Sequence, residues 1–213
     1  MSVPGRKSQH NKTGGIQIVS SLDEARSRRK KPDSLGKLKA AARKLFVERG
    51  YHATRPQDIA READVGHGTF YLHFPDKRAC FLDFVDDARR ELDDYIGERV
   101  SPEKPMDQLI ALTLNAIFDY AETHPGVLNA AMTDEAIIDA EGVQAKPLLQ
   151  RWGEAWAAAV EAHGAGGEYD TAIVGQAIIG AIHQVTAEAG REGRKRQDVI
   201  DNLSKFLIRA LKV

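Results

Sequence analysis

Residues 59–71 read IAREADVGHGTFY, and this stretch predicts two short helices joined by a turn of about four residues. Ile59 and Ala63 are one helical turn apart, so they face the same side of the first helix. Val65 is placed to fill the turn, and Phe70 is placed to pack inward from the second helix. These features predict a helix-turn-helix, whose second helix enters the major groove of double-stranded DNA.

The rest of the chain is predicted to be all-α. Apolar residues between positions 35 and 46 share one helical face, and Gly50 is placed to end that helix in the left-handed conformation. Residues 54–57 fit a capping box led by Thr54, and Asp76 is placed to cap a long helix that runs to about Arg99. The other predicted helices cover residues 55–63, 67–73, 106–122, 126–142 (one or two short helices), 144–163, 170–190 and 196–211.

Charge divides the chain into a basic and an acidic part. Residues 1–80 hold 17 Lys and Arg against 8 Asp and Glu, and residues 81–213 hold 13 against 23. A basic head on an acidic body favours a polyanion as the partner of the head alone. The first 33 residues are polar and are predicted to be a flexible arm, with one short basic helix over residues 22–31.

The stretch from Ala41 to Leu82 resembles the DNA-binding domain of the tetracycline-repressor (TetR) family of bacterial transcriptional regulators. The resemblance is carried by Ala41-Ala42, Leu45-Phe46, Gly50-Tyr51, Thr54, Ile59-Ala60, Ala63, Val65, Gly68-Thr69-Phe70-Tyr71, His73-Phe74 and Lys77. The chain departs from the family where Asp64 stands in place of the usual turn glycine and Gly66 in place of a frequent serine. Gly66 can cap a helix but offers no hydroxyl group to a phosphate.

The resemblance implies three segments and a function. The segments are a basic arm (1–33), a three-helix helix-turn-helix domain (34–80) and a C-terminal helical domain for ligand binding and dimerisation (81–213). The implied function is that of a cytoplasmic homodimeric repressor, which a small molecule of unknown identity releases from a palindromic operator. The competing hypothesis is an all-helical small-molecule-binding protein or enzyme with a degenerate helix-turn-helix.

The second helix of the motif supplies most of the predicted DNA contacts. His67 lies at its N-terminal end and is predicted to read a base edge, while Gly68 lets the backbone approach DNA closely. Thr69, Tyr71 and His73 resemble family residues that hydrogen-bond phosphates, which carry no sequence information. Lys77 is predicted to add a positive charge there, and the Thr54 hydroxyl is predicted to contact a phosphate as well as to cap its helix. Core packing is the alternative for Tyr71 and His73, and a solvated tail is the alternative for the arm. The full predicted set is Thr54, Gly66, His67, Gly68, Thr69, Tyr71, His73, Lys77, Arg28, Arg29, Lys30 and Lys31.

The C-terminal residues carry predictions for a ligand pocket and for a dimer interface. In the family this domain holds a small molecule, and polar or aromatic residues on apolar helices are the candidates: Phe84, Asn115, Phe118, Trp152, Trp156, Gln176 and His183. A place in the core is the alternative for the aromatic residues, and a place in the core or in an interface is the alternative for the polar ones. Two stripes on the last helices predict an interface between subunits, with packing inside one subunit as the alternative: Gly175, Ile179, Ile182, Ile200, Leu203, Leu207 and Leu211.

Several other chemistries lack their sequence signals. A single cysteine cannot form an internal disulfide, and Cys80 beside Phe81 is predicted to be buried and inert. No apolar run approaches the ~20 residues of a membrane span. The seven histidines show no metal-ligand spacing, and phosphate loops, dinucleotide fingerprints and nucleophile elbows are missing. The sequence therefore predicts a protein that is not an enzyme and has no cofactor and no metal.

Overall fold

The computed structural model describes residues 33–133 and 148–212. Within those ranges the chain forms helices and no strand, which confirms the predicted all-α class. The predicted arm contacts Arg28, Arg29, Lys30 and Lys31 lie outside the described residues, as does part of the helix predicted over 126–142. The helices are α1 (Ser34–Ala53), α2 (Pro56–Glu62), α3 (His67–His73), α4 (Lys77–Gly97), α5 (Met106–Thr123), α6 (Val127–Thr133), α7 (Leu148–Ala162), α8 (Thr171–Glu192) and α9 (Arg196–Leu211).

Aspartate side chains cap three of the long helices, namely α1 at Asp33, α4 at Asp76 and α8 at Asp170. The Asp76 carboxylate accepts a hydrogen bond from the backbone N–H of Ala79 at 2.7 Å, and this confirms the predicted start of α4. At the start of α8, Asp170 accepts from the N–H groups of Ala172 and Ile173. Such caps satisfy backbone donors that have no partner inside the helix.

Two predictions about the junction of α1 and α2 are wrong. Gly50 breaks α1 with φ of 75°, but its ψ of 173° is extended rather than left-handed helical. Thr54 does not cap α2, because Arg55 holds the capping position without a side-chain hydrogen bond. The Thr54 hydroxyl turns inward instead and donates to the carbonyl oxygens of Leu45 and Gly50.

One core holds α1, α2 and α3 together with the first half of α4. The rings of Phe46 and Phe81 meet edge to face with centroids 5.0 Å apart, and Phe70 of α3 is fully buried beside them. This core extends past residue 80, since Phe84 and Ala88 of α4 belong to it. Helix α6 also contributes three buried residues to it: Val127, Ala130 and Ala131.

A second core joins α5, α7, α8 and α9. Helices α7 and α8 approach so closely that a Cβ atom on Gly175 would collide with the carbonyl oxygen of Gly153. Helix α9 packs along α5 and buries the stripe from Ile200 to Leu211. None of the helices in the described ranges is long and apolar enough to cross a membrane.

Candidate DNA-binding surface and ligand cavity

The turn between α2 and α3 fixes the direction of α3. Asp64 adopts a φ of 52°, so it takes the left-handed conformation that the family gives to glycine. The backbone N–H of Val65 then donates to the carbonyl oxygen of Ala60, and the Val65 side chain is half-buried in the turn. Gly66 is the N-cap of α3 with an extended ψ of 143° and makes no side-chain cap.

Helix α3 exposes the face that the sequence predicts for DNA. Phe70 is fully buried, whereas His67, Gly68 and Tyr71 are exposed. A Cβ atom on Gly68 would meet nothing within 4 Å, so the backbone is open to close approach there. The rings of His67 and Tyr71 meet edge to face, 5.2 Å between centroids, which aligns the two side chains one turn apart.

Leu72 also lies on this surface, although the sequence motif did not assign it to DNA. Its side chain is 82% exposed, and it lies one helical turn beyond Gly68. An exposed apolar side chain in this place can make apolar contact with a thymine methyl group or a sugar. The spacing along the helix predicts this exposure, because Leu72 lies two positions after the buried Phe70 and therefore points away from the core.

The remaining predicted phosphate contacts differ in their surroundings. His73 is exposed, and its Nε2 lies 2.8 Å from the Ser34 hydroxyl oxygen, while Thr69 is half-buried. The Lys77 ammonium group donates a hydrogen bond to the backbone carbonyl oxygen of Tyr51 at 3.0 Å. The same Nζ atom lies 4.1 Å from the centroid of the Tyr51 phenol ring. It thereby ties the start of α4 to the end of α1. Thr54 is fully buried, so the prediction that its hydroxyl contacts a phosphate is wrong for this conformation.

A cavity of about 380 Å³ lies among the C-terminal helices. Three predicted ligand-binding residues line it, namely Trp152 and Trp156 of α7 and His183 of α8. The other walls come from α4, α5 and α6 and are mostly aliphatic, for example Leu92, Ile96, Leu109, Ile117, Leu128 and Met132. The volume lies within the range of about 300–1,000 Å³ that is usual for small-molecule sites.

Four predicted ligand-binding residues do not line this cavity. Phe84 belongs to the core around α1. Asn115 donates to the Ala111 carbonyl oxygen and accepts from Arg196, which also lies 5.8 Å from the ring centroid of Phe118. Gln176 is exposed and donates to the carbonyl oxygen of Gln150. Phe84 thus packs against the core, and the other three side chains contact groups of this chain where the sequence predicted contact with a ligand.

The two predicted dimer stripes are already buried inside one chain. Gly175 packs on α7, and Ile179 and Ile182 line the cavity. On α9, four residues are 2–4% exposed within the second core: Ile200, Leu203, Leu207 and Leu211. The assignment of these stripes to a subunit interface is therefore wrong, because they have almost no surface left to bury. Exposed apolar side chains lie instead on the outer sides of α8 and α9, at Val185 (38%) and Phe206 (61%).

A polar cluster joins α1, α4 and α5 and was not found from the sequence. The guanidinium of Arg43 donates two hydrogen bonds to the Glu91 carboxylate, at 2.7 and 2.8 Å, and the Tyr120 hydroxyl donates to it at 3.0 Å. Partial burial works to raise the pKa of Glu91, but these bonds outweigh it and hold the pKa below its usual range. Burial and then the bond to Glu91 raise the pKa of Tyr120 to about 12.

The described ranges contain neither a metal-binding cluster nor a reactive thiol. No group of three or more His, Cys, Asp or Glu side chains there could hold a metal ion. Cys80 is buried as predicted, and burial, then the nearby Asp83 carboxylate, raise the pKa of its thiol to about 12. A thiol with so high a pKa stays protonated and is a poor nucleophile near neutral pH.

Comparison with known proteins identifies the N-terminal helices. Residues 38–84 match the family model of bacterial regulatory proteins of the tetR family. Residues 38–84 match the DNA-binding domain of that family. They contain the helix-turn-helix, and α3 is its second helix. The resemblance to the TetR family found in the sequence is therefore confirmed.

Curated relatives match less than half of this chain. It is 32% identical over 84 residues to the transcriptional regulator YhgD of Bacillus subtilis. The aligned stretch covers 39% of this chain and 44% of YhgD. It is 33% identical over 90 residues to the transcriptional activator FasR of Mycolicibacterium smegmatis, covering 41% and 40% of the two chains. The matched regions thus span less than half of these relatives.

Most of the fold is shared with solved structures at lower identity. A tetR-family regulator from Shewanella sp. PV-4 superposes with a TM-score of 0.66 at 21% identity, covering 84% of this chain and 97% of the other. The fatty acid degradation regulator FadR from Bacillus halodurans superposes with a TM-score of 0.65 at 19% identity, covering 84% and 96%. The arrangement of an N-terminal helix-turn-helix and a C-terminal helical domain is therefore the fold of this family.

Proposed function

We propose that this chain acts as a homodimeric repressor, bound to a palindromic operator and released by a small molecule in the C-terminal cavity. The single observation that carries the proposal is the double role of α6. Leu128 and Met132 of this helix line the cavity, while Val127, Ala130 and Ala131 are buried in the core of the DNA-binding domain. One short helix is thus part of the wall of the ligand site and part of the support of α1.

This arrangement lets a ligand change DNA affinity without touching DNA. A ligand that displaces Leu128 or Met132 shifts α6 against α1 and α4, with which it packs. The shift alters the distance between the two recognition helices of a dimer, which must match successive major grooves ~34–36 Å apart. DNA affinity falls only as far as the ligand prefers the shifted state, and DNA weakens ligand binding by the same factor.

The test of DNA recognition is a mobility-shift assay with genomic fragments and two variants of α3. Tyr71→Ala should weaken binding to all sequences alike, because phosphate contacts carry no sequence information. His67→Ala should change which fragment is preferred. Tyr169→Ala, at a tyrosine that is 56% exposed in the C-terminal domain, is the matched control for the 48% exposed Tyr71. If His67→Ala leaves both affinity and preference unchanged, His67 does not read a base.

The subunit contact is proposed on the outer sides of α8 and α9. Val185 and Phe206 border a groove between these helices, and a second copy that covers them would form a four-helix bundle with a two-fold axis. Phe206→Glu should give a folded monomer in light scattering with weakened operator binding. Leu207→Glu, at a side chain only 3% exposed, should unfold the chain instead. Lys205→Glu is the exposed control, and a dimeric, DNA-competent Phe206→Glu variant would rule out this face.

The direction of regulation needs its own test, since FasR is a transcriptional activator. A reporter fused to the promoter of a bound fragment should rise when the gene for this chain is deleted. A fall in that reporter would show activation. A regulator of this kind works where the chromosome is accessible, and we therefore place it in the bacterial cytoplasm.

A further inference from the structure

The wall of the cavity holds three polar side chains without a hydrogen-bond partner in the described part of the chain. They are the Thr113 hydroxyl, the Trp156 indole N–H and the His183 imidazole. Thr186 also lines the cavity, but its hydroxyl donates to carbonyl oxygens of its own helix. Thr113 and Trp156 are each 8% exposed, so they have little contact with bulk water. His183 is half-buried. The polar atoms of these three side chains are therefore available to a ligand in the cavity.

The charges on the wall are already balanced. Asp93 is the only acidic side chain among the described lining residues, and no Lys or Arg is among them. One Asp93 oxygen accepts from the Trp152 indole N–H at 3.1 Å, and the other accepts from Arg89 at 2.7 Å. A charged ligand head would lose water without gaining an opposite charge from these walls, which disfavours it.

The capacity of the cavity limits the size of the ligand. An engineered apolar cavity of about 150 Å³ in another protein takes up benzene, with its six carbon atoms. In proportion, about 380 Å³ holds about fifteen non-hydrogen atoms. The aliphatic and aromatic lining requires most of them to be apolar.

We infer that the effector is an uncharged, mainly apolar molecule of about ten to fifteen non-hydrogen atoms, with a hydroxyl or carbonyl group that bonds to His183. This inference rests on the proposed function, because it names the class of molecule that the regulatory cavity binds. A carbonyl oxygen can accept from the His183 or Trp156 N–H, and a hydroxyl can bond to either nitrogen tautomer of His183 or to Thr113.

Tryptophan fluorescence of the full chain tests this inference directly. The chain has two tryptophans, Trp152 and Trp156, and both line the cavity. Three probes with the same ten-carbon chain differ in the head group: decan-1-ol, decanoate and decylammonium. Titration at neutral pH should show saturable binding of decan-1-ol, with affinity at least about tenfold higher than for either ion. Equal or tighter binding of an ion, or no binding of any probe, would overturn the inference.

Variants at His183 test the polar contact. His183→Leu should lower the affinity for decan-1-ol about three- to tenfold, because it removes one hydrogen bond. His183→Gln, which keeps donors and an acceptor, should restore most of that loss. Gln184→Ala is the control, since this neighbour is exposed and does not line the cavity. If His183→Leu binds decan-1-ol as the parent does, His183 is not the contact.

A mobility-shift assay separates this inference from the proposed function. If fluorescence shows that decan-1-ol binds and the chain is then released from its DNA fragment, the inferred ligand class and the proposed function are both supported. If it binds and leaves the DNA complex intact, the inferred ligand class stands and ligand-controlled release fails. If decanoate or decylammonium binds more tightly and releases DNA, the proposed function stands and the inferred class fails.

Discussion

Gly126 offers the sharpest test of the contact between the cavity wall and the DNA-binding domain. It precedes α6 with a φ of +79°, and a Cβ atom added to it would lie 2.8 Å from Cγ1 of Val47 on α1. Ordinary carbon–carbon contacts are about 3.5–4.0 Å, so Gly126→Ala must push α6 away from α1 or move Val47. The same change places a residue with a Cβ in a conformation that favours glycine.

The expected loss of stability has two parts. The positive φ costs about 1–2 kcal/mol for a residue other than glycine. The close contact adds about 1–3 kcal/mol, as overpacking of a core does. Gly126→Ala should therefore lower the free energy of unfolding by about 2–5 kcal/mol, and in a chain of this size each kcal/mol lowers Tm by about 2–4 °C.

A double-mutant cycle separates the two parts. Val47→Ala removes the Cγ1 atom that the new methyl group would meet, and Val47 is only half-buried, so alone it should cost about 1 kcal/mol. In the Val47→Ala background, the cost of Gly126→Ala should fall to the conformational part alone. Urea denaturation of the four proteins measures the coupling, and additivity within about 0.5 kcal/mol would refute the contact between α6 and α1.

The cycle also has a functional readout. Leu128 and Met132 lie on the helix that Gly126 precedes, so a displaced α6 changes the cavity wall and the support of α1 together. Gly126→Ala should therefore weaken operator binding in the absence of any ligand, and Val47→Ala should restore part of it. A destabilised variant that binds its operator as the parent does would show that the position of α6 does not control α3.

Three further predictions address the recognition helix, the polar cluster and the buried thiol. Leu72→Ala should change the free energy of unfolding by less than about 0.5 kcal/mol, since the side chain is 82% exposed, yet reduce operator affinity in a mobility shift; unchanged affinity would remove Leu72 from the DNA surface. Because its folded pKa is lowered, Glu91 contributes stability above its unfolded pKa of about 4.3 and loses that contribution as the pH falls through the folded value. Thermal melts should therefore show a smaller loss below pH 5 for Glu91→Gln than for the parent, and equal losses would contradict the role of the Arg43 and Tyr120 hydrogen bonds. Cys80, with a thiol pKa of about 12, should react with an aromatic disulfide reagent at pH 8 only after unfolding in urea, and prompt reaction of the native chain would show that it is accessible.

The helix-turn-helix was predictable because its signals are local. The spacing of Ile59 and Ala63, the inward Phe70 and the capping Asp76 act within one or two helical turns, and the structure places all of them as expected. Asp64 was recognised as a departure from the family, and it adopts the left-handed backbone that the turn requires. The resemblance to the family was found from the same residues, and its model matches residues 38–84.

The sequence by itself determined which faces of the helices are apolar, and only the tertiary structure decided what covers them. The stripe from Ile200 to Leu211 has the same spacing whether it packs on α5 of its own chain or on a second copy, because periodicity reports burial and not the partner. Thr54 shows that the sequence around a polar group likewise does not determine its hydrogen-bond partner. Its sequence context fits a cap of α2, but its hydroxyl donates to the carbonyl oxygens of Gly50 at 2.8 Å and of Leu45 at 3.3 Å. The fold brings Leu45, nine positions earlier, within reach of that hydroxyl. Contacts between distant positions depend on how the helices pack, and packing is decided by the shapes of all the side chains together.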